Sequence, residues 1–248
     1  MSDPSLEQII AVARGDAPGD TLLANGRIVN VFTSEIEEGD VVLCEGRIAG
    51  IGRGYEAREV VDLRGAYLLP GFIDGHTHIE SSMLSIGQYA RAVVARGTTS
   101  VVTDLHELAN VAGLWALRRL MRDAARLPLD VFLMAPSCVP ATDMETAGAS
   151  LGPRDIAAAL RWRNALGLGE VMNFPGVVSG DAHCLAKLRA AAGRPIDGHA
   201  PGLVSKGLNA YLAAGPRSDH ESTGLEEGRD KLRRGMYLMI REGTSEKN

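Results

Sequence analysis

Aromatic side chains are scarce: two Trp, five Tyr and four Phe in 248 residues. A core with so few rings must rest on Leu, Val, Ile, Ala and Met. Cysteine is sparse too. Cys44, Cys138 and Cys184 are odd in number and far apart, which excludes a disulfide framework or a zinc knuckle and fits a reducing compartment. No apolar run is long enough to span a bilayer, and residues 1–19 lack the apolar centre of a secretory signal. The expectation is a cytoplasmic chain without a membrane partner. Blocks of Lys and Arg are missing and the formal net charge is -5, so no nucleic-acid partner is expected. Glycine-rich dinucleotide or phosphate loops are also missing.

What is present is ordinary globular composition, 45% apolar and 23% charged. Residues 1–20 read as a short amphipathic helix and linker, with Leu6, Ile9, Ile10 and Ala13 on one side of residues 4–14. Residues 21–69 hold short β-prone runs, 21–23, 27–32, 40–45, 47–51 and 59–63. Asn25-Gly26 and Glu45-Gly46 read as hairpin turns between them, which predicts an antiparallel mini-sheet within a small β domain. From residue 70 the texture becomes serial. Strand candidates at 71–74, 99–103, 131–135, 168–172, 196–198, 217–219 and 237–241 alternate with helix candidates at 85–96, 113–125, 152–164, 179–192, 201–214 and 224–234. Serial βα units mean a parallel sheet, either doubly wound or a barrel.

The polar residues favour the barrel. A (β/α)8 TIM-like barrel carries its chemistry at the C-terminal ends of several strands, whereas a doubly wound sheet concentrates it at one crevice. Here Asp74/His76/His78, Asp104/His106/Glu107, Glu170, His199 and His220 all stand at or just past strand candidates. Residues 70–248 supply six or seven strands, so the expected α/β barrel is incomplete.

His76-Thr77-His78 places two imidazoles on one side of an extended segment, where they can share a cation. Glu170 is the only charge in an apolar run, and a buried carboxylate must be paired or metal-bound. With His199 and His220 it makes a mixed nitrogen and oxygen set that suits Zn, Mn or Fe better than Ca. Asp104 and Glu107 read either as helix N-terminal acids or as site residues, and His106 as a substrate contact, a proton shuttle or a further ligand. Ser81-Ser82 after Glu80 reads as a helix cap, and Cys138 as a small buried hydrophobe.

These segments resemble the amidohydrolase superfamily and, within it, the bacterial and archaeal adenine deaminases. Pro70-Gly71-Phe72-Ile73-Asp74-Gly75-His76-Thr77-His78-Ile79-Glu80 is similar to the family's first barrel-strand motif. Thr103-Asp104-Leu105-His106-Glu107-Leu108-Ala109-Asn110 is similar to its second, although Leu105 stands where the family often has Pro. Pro136-Ser137-Cys138-Val139-Pro140, Gly169-Glu170-Val171-Met172-Asn173, Asp197-Gly198-His199-Ala200-Pro201-Gly202 and Ser218-Asp219-His220-Glu221 are similar to the next four.

The resemblance implies hydrolytic deamination of adenine to hypoxanthine and ammonia by a metal-bound hydroxide that attacks C6. It implies two divalent ions, Mn or Fe in preference to Zn. His76 and His78 would be ligands of the more buried ion, Glu170 the carboxylate between the two, and His199 and His220 ligands of the second. Glu170, His106 and His220 become catalytic candidates; Asp104, His106, Glu107 and Glu80 become adenine contacts. Residues 21–69 resemble part of the family's composite β-sandwich. The family's chain is longer, oligomeric when whole, and carries an eighth-strand aspartate that has no counterpart here. Two other readings stay open: another amidohydrolase acting on a cyclic amide or amino-heterocycle, and a non-catalytic metal-binding fragment.

Overall fold

In the computed structural model, residues 5–243 and Lys247 are described. The chain divides into two compact units, Met1–Pro70 and Gly71–Asn248.

In the first unit, α1 (Leu6–Arg14) starts at Ser5, whose hydroxyl accepts the Gln8 N–H, and stops at Gly15, where φ is 79°. It buries Val12 against Leu22, Val42 and Cys44. The sheet comprises β1 (Gly19–Asn30), β2 (Glu35–Cys44), β3 (Arg47–Gly52), β4 (Ala57–Asp62) and β5 (Tyr67–Leu68). Glu45-Gly46 makes the expected tight hairpin turn between β2 and β3, with φ of 50° and 76°. Asn25-Gly26 does not. The chain runs through it as one strand, and the positive φ of Asn25 is absorbed as a register shift against β2. The sheet is also mixed rather than antiparallel throughout, because β4 and β5 both pair in parallel with β1.

The second unit is a series of βα units. Its strands are β6 (Phe72–Thr77), β7 (Thr98–Thr103), β8 (Asp130–Ala135), β9 (Ala165–Val171), β10 (Ile196–Gly198), β11 (Ser218–Asp219) and β12 (Tyr237–Leu238). The first five form one parallel sheet in chain order, and β11 pairs in parallel with β12. The Arg217 N–H donates to the Ile196 carbonyl at 3.0 Å, which continues the order from β10 to β11. The result is an α/β fold whose parallel sheet curls into an incomplete, half-barrel form.

The helices are α2 (Ile86–Val94), α3 (His106–Ala124), α4 (Pro153–Ala159), α5 (Phe174–Ser179), α6 (Ala182–Ala190), α7 (Ser205–Ala213) and α8 (Leu225–Arg233). Two departures from expectation have local causes. Gly180, at φ 83°, and Asp181, whose carboxylate caps Cys184, divide the 179–192 stretch into α5 and α6. The helix expected from residue 113 begins at His106, with a break at Gly113, where φ is 61°. Ser82 turns its hydroxyl onto the Ile79 carbonyl within a 3-10 turn (Ile79–Ser82) and so caps no α-helix.

Two apolar clusters fill the unit. One gathers Val101, Leu117, Val131 and Leu133 under α2 and α3; the other gathers Leu168, Ile196, Leu208 and Tyr211 under α4 to α7. No helix among the described residues is long and apolar enough to cross a membrane.

Candidate metal centre

Each strand from β6 to β11, β8 apart, delivers ionisable groups at its C-terminal end, and β9 delivers the central one. Glu170 is 2% exposed within β9, flanked by apolar neighbours. It can lie there because Gly169 has no side chain: a Cβ at that position would sit 2.6 Å from the Cβ of Asp104. The strand ends beyond β7 and β9 therefore approach closely, and the acids of both reach one space.

Glu170 Oε1 lies 3.0 Å from His76 Nε2, 3.0 Å from His78 Nε2 and 3.4 Å from His220 Nε2. Its other oxygen lies 3.1 Å from His199 Nδ1 and 3.8 Å from His106 Nδ1. The two Nε2 atoms of His76 and His78 are 3.3 Å apart. The His76 and His220 rings stack with centroids 3.8 Å apart. All five histidines and the glutamate singled out in the sequence thus meet around one carboxylate.

Other groups orient this set. His76 Nδ1 is 2.9 Å from Asp197 Oδ2. That bond fixes the ring and leaves Nε2 to face Glu170. His106 Nδ1 is 3.1 Å from Asp104 Oδ2, and its backbone N–H also donates to Asp104. Asp104 is therefore buried at the site and not a solvated helix-end acid. Glu107 Oε2 lies 3.5 Å from both His78 Nδ1 and His106 Nε2. Glu80 Oε1 accepts the Leu108 N–H at 3.4 Å. Asp197, Glu221 and Arg241 were not singled out as site residues in the sequence. Glu221 lies 3.9 Å from His199 Nδ1 and is salt-bridged to Arg241. The charge of Asp197 inside the apolar start of β10 was the available signal.

The electrostatics follow from five imidazoles set among the carboxylates of Glu170, Asp104, Asp197, Glu107 and Glu221. Burial alone would raise the Glu170 carboxyl, but His199, His220, His76 and His78 hold it far below the usual range. Burial opposes charging of His76, yet Asp197 and Glu170 raise it to about 9. Asp104 and the neighbouring glutamates overcome burial at His78 in the same direction, and Asp104 helps to raise His106 to about 12. Burial and the nearby Glu107 carboxyl push Glu80 up to about 7. Glu107 is held well below its ordinary value, against burial, by His78 and Glu80.

The donor chemistry fits divalent cations. Among the described residues, three sets have ligand atoms within 4.8 Å of one another: His78, Asp104, His106 and Glu170; His76, Glu170 and His220; and His199, His220 and Glu221. Glu170 Oε1, His78 Nδ1 and His199 Nδ1 are buried yet lack hydrogen-bond partners, although opposite charges stand near. Atoms that converge without aligning for hydrogen bonds are the arrangement of ligands around a common centre. Glu170 and His220 each belong to two sets, as a binuclear centre requires. A cavity of about 630 Å³, lined by Asp74, His76, His78, His220 and Arg241, opens on the histidines.

Fold and site together define a family. The amidohydrolase family model matches residues 67–247, and the chain belongs to that family. At the level of individual proteins, it is similar to adenine deaminase of Dehalococcoides mccartyi strain CBDB1, with 56% identity over 244 residues, 98% of this chain and 43% of that protein. Adenine deaminase of Archaeoglobus fulgidus is 49% identical over 253 residues, 100% of this chain and 45% of the relative. The chain therefore spans less than half the length of these curated relatives.

Among solved structures, N-acyl-D-glutamate deacylase of Bordetella bronchiseptica, complexed with zinc and a phosphonate inhibitor, has a TM-score of 0.58 at 20% identity. That match covers 90% of this chain and 58% of the deacylase. Molinate hydrolase has a TM-score of 0.55 at 12% identity, covering 92% and 65%. These likenesses concern the fold alone.

Proposed function

We propose that this chain carries the metal-binding part of an adenine deaminase, which hydrolyses adenine to hypoxanthine and ammonia. The observation that carries the reading is Glu170 at the centre of His76, His78, His199 and His220, all within 3.4 Å of its oxygens, in a chain 56% identical to a named adenine deaminase. In this reading residues 1–20 are an N-terminal helix and linker, residues 21–69 belong to a small β domain, and residues 70–248 supply the first six or seven barrel strands.

His76, His78 and Glu170 would hold one divalent cation, and Glu170, His199 and His220 a second, with Mn or Fe preferred over Zn. When bound, such ions supply Lewis acidity and bring the pKa of water towards neutrality. Asp197 holds the His76 ring in its ligating orientation. Asp104 accepts from His106 Nδ1–H, which leaves His106 Nε2 to exchange a proton at the site. Near His78, Glu80 is raised by burial and by Glu107 to about 7 and can carry a proton, while Glu107 is held low, so the two would offer one donor and one acceptor. That complement suits a purine edge that carries a ring nitrogen beside an amino group. Water is screened from Glu170 by its burial in β9.

The test is ammonia release from adenine with added Mn²⁺, on this chain beside a longer chain read from the same frame. Turnover by either supports the reading. No turnover of adenine by either, with turnover of a cyclic amide or another amino-heterocycle, would replace it. Bound metal without any turnover would favour a non-catalytic centre.

A further inference from the structure

The metal centre leaves one buried charge unexplained. Lys187, on α6, is 7% exposed, and its ammonium donates to the Ser137 carbonyl at 2.7 Å. No carboxylate of the described residues lies within salt-bridge distance of it. An ammonium buried without a counter-ion is costly. A norleucine-like apolar chain would fill the same space without that cost, so the hydrogen bond is the feature to explain.

Ser137 and Cys138 follow β8, between the metal centre and a second cavity beside α6. The Ser137 hydroxyl donates to the Glu170 carbonyl, and the Cys138 thiol lies near enough to His106 to help raise its ring's affinity for a proton. Val139 anchors the far end of the segment, fully buried in the core with its carbonyl accepting the Leu151 N–H at 2.8 Å, but the side towards α6 is open. A cavity of about 370 Å³ is lined by Cys138, Pro140, Ala141 and Thr142 from the segment and by Cys184 and Lys187 from α6. The directional tie that α6 makes across this space is the Lys187 bond.

We infer that Lys187 is a positioning residue for the metal centre: it clamps Ser137-Cys138, which in turn sets the backbone of Glu170 and the ring of His106. The inference rests on the proposed reading of the site in one respect, that Glu170 binds metal. The mechanism is mechanical. Without the clamp, the segment relaxes into the cavity, Glu170 loses a hydrogen bond at its carbonyl, and His106 loses a neighbour.

Two readouts test it on the 248-residue chain: Mn²⁺ affinity, and the rate of iodoacetamide labelling at Cys138 in the metal-free protein, followed by peptide mass. Lys187→Met is expected to weaken Mn²⁺ binding about 10–100-fold, the usual loss when support behind a ligand is removed. It should also speed Cys138 labelling about tenfold or more, since opening the segment exposes a thiol now 3% accessible. Lys187→Arg, which keeps a donor, should recover part of both. Ser137→Ala should weaken Mn²⁺ binding, and combined with Lys187→Met it should add little, because the two bonds act in series.

Leu208→Ala, a core truncation elsewhere in the same unit, controls for general destabilisation and should move neither readout comparably. If Lys187→Met fails to fold, Ser137→Ala carries the Mn²⁺ test alone. Unchanged Mn²⁺ affinity in the folded variants, or Cys138 labelling that rises equally in Leu208→Ala, would overturn the clamp. Failure of the unmodified chain to bind Mn²⁺ would sink the reading of the site. The clamp would then stand or fall on Cys138 labelling alone.

Discussion

Two buried ionic clusters lie a few residues apart in the second unit, and they are built on opposite plans. Around Lys231, every group is matched. Its ammonium donates to Asp219 Oδ2 at 2.8 Å, Glu227 Oε1 at 2.7 Å, Ser222 Oγ at 2.9 Å and the Ala200 carbonyl at 2.8 Å. Asp219 also accepts the Ala200 N–H at 2.9 Å. Around Glu170, the groups crowd together, but buried atoms stay without hydrogen bonds. The first cluster is closed by its own residues and holds β11 against α8. The second is closed only by something the chain does not itself provide. Adjacent residues, Asp219 and His220, divide between the two. Burial and charge alone therefore do not identify a functional site; the state of the hydrogen bonds does.

The comparison breaks most visibly at Lys231. Lys231→Met strands a fully buried carboxylate and should cost about 3–5 kcal/mol of unfolding free energy, read from urea denaturation of the metal-free chain. A loss below about 1 kcal/mol would show that the network is not the closed structural element described.

Saturating metal sharpens the contrast from the other side. Mn²⁺ at a hundredfold excess over its dissociation constant should stabilise the chain by about 2.7 kcal/mol. His199→Ala should abolish that gain while leaving metal-free stability nearly unchanged. Equal stabilisation of His199→Ala would remove His199 from the ligand set.

Asp197→Asn tests the orienting bond to His76. The asparagine keeps the shape but weakens the hold on the ring, and metal affinity should fall about 10–100-fold by isothermal titration. No change would assign Asp197 to its other partner, the hydroxyl of Ser218.

The smallest effect is in pH. His76 is raised to about 9 when folded, against about 6.5 when unfolded, so its contribution to metal-free stability is complete below about pH 6.5 and lost as pH rises through about 9. Asp219 is lowered, opposed by burial and carried by Lys231, so its contribution is present above the unfolded carboxylate value and lost as pH falls through the folded one. The two clusters should thus fail at opposite ends of a melting-temperature profile. Metal should cancel the alkaline loss alone, because ligation replaces the protons on the histidines.

The order of the βα units was legible because glycines and prolines bound the strands and because polar residues interrupt apolar runs at their ends. Glu170 stood out for that reason, and so did the histidine pair. What was not legible depends on contacts distant in sequence. Asp197 meets His76 across 121 residues; its charge beside Ile196 marks it as unusual, but nothing local names its partner. Lys231 lies in a helix rich in charge, Leu225–Arg233, and reads there as a solvated residue, although it is fully buried. The Asn25-Gly26 pair has the composition of a hairpin turn, but β4 and β5 both pair along β1 and keep the chain extended. Turn chemistry set the local φ, and tertiary pairing decided what the segment became.

The donors enter the site one strand at a time, from His76 on β6 to His220 after β11. A chain emerging from the ribosome therefore exposes its first imidazoles long before their partners exist. At about 5–20 residues per second, roughly 7–29 s separate the appearance of His76 from that of His220. During that interval the nascent histidines can hold a cation only weakly. The full donor set is thus assembled only late in synthesis, after the earlier strands have emerged.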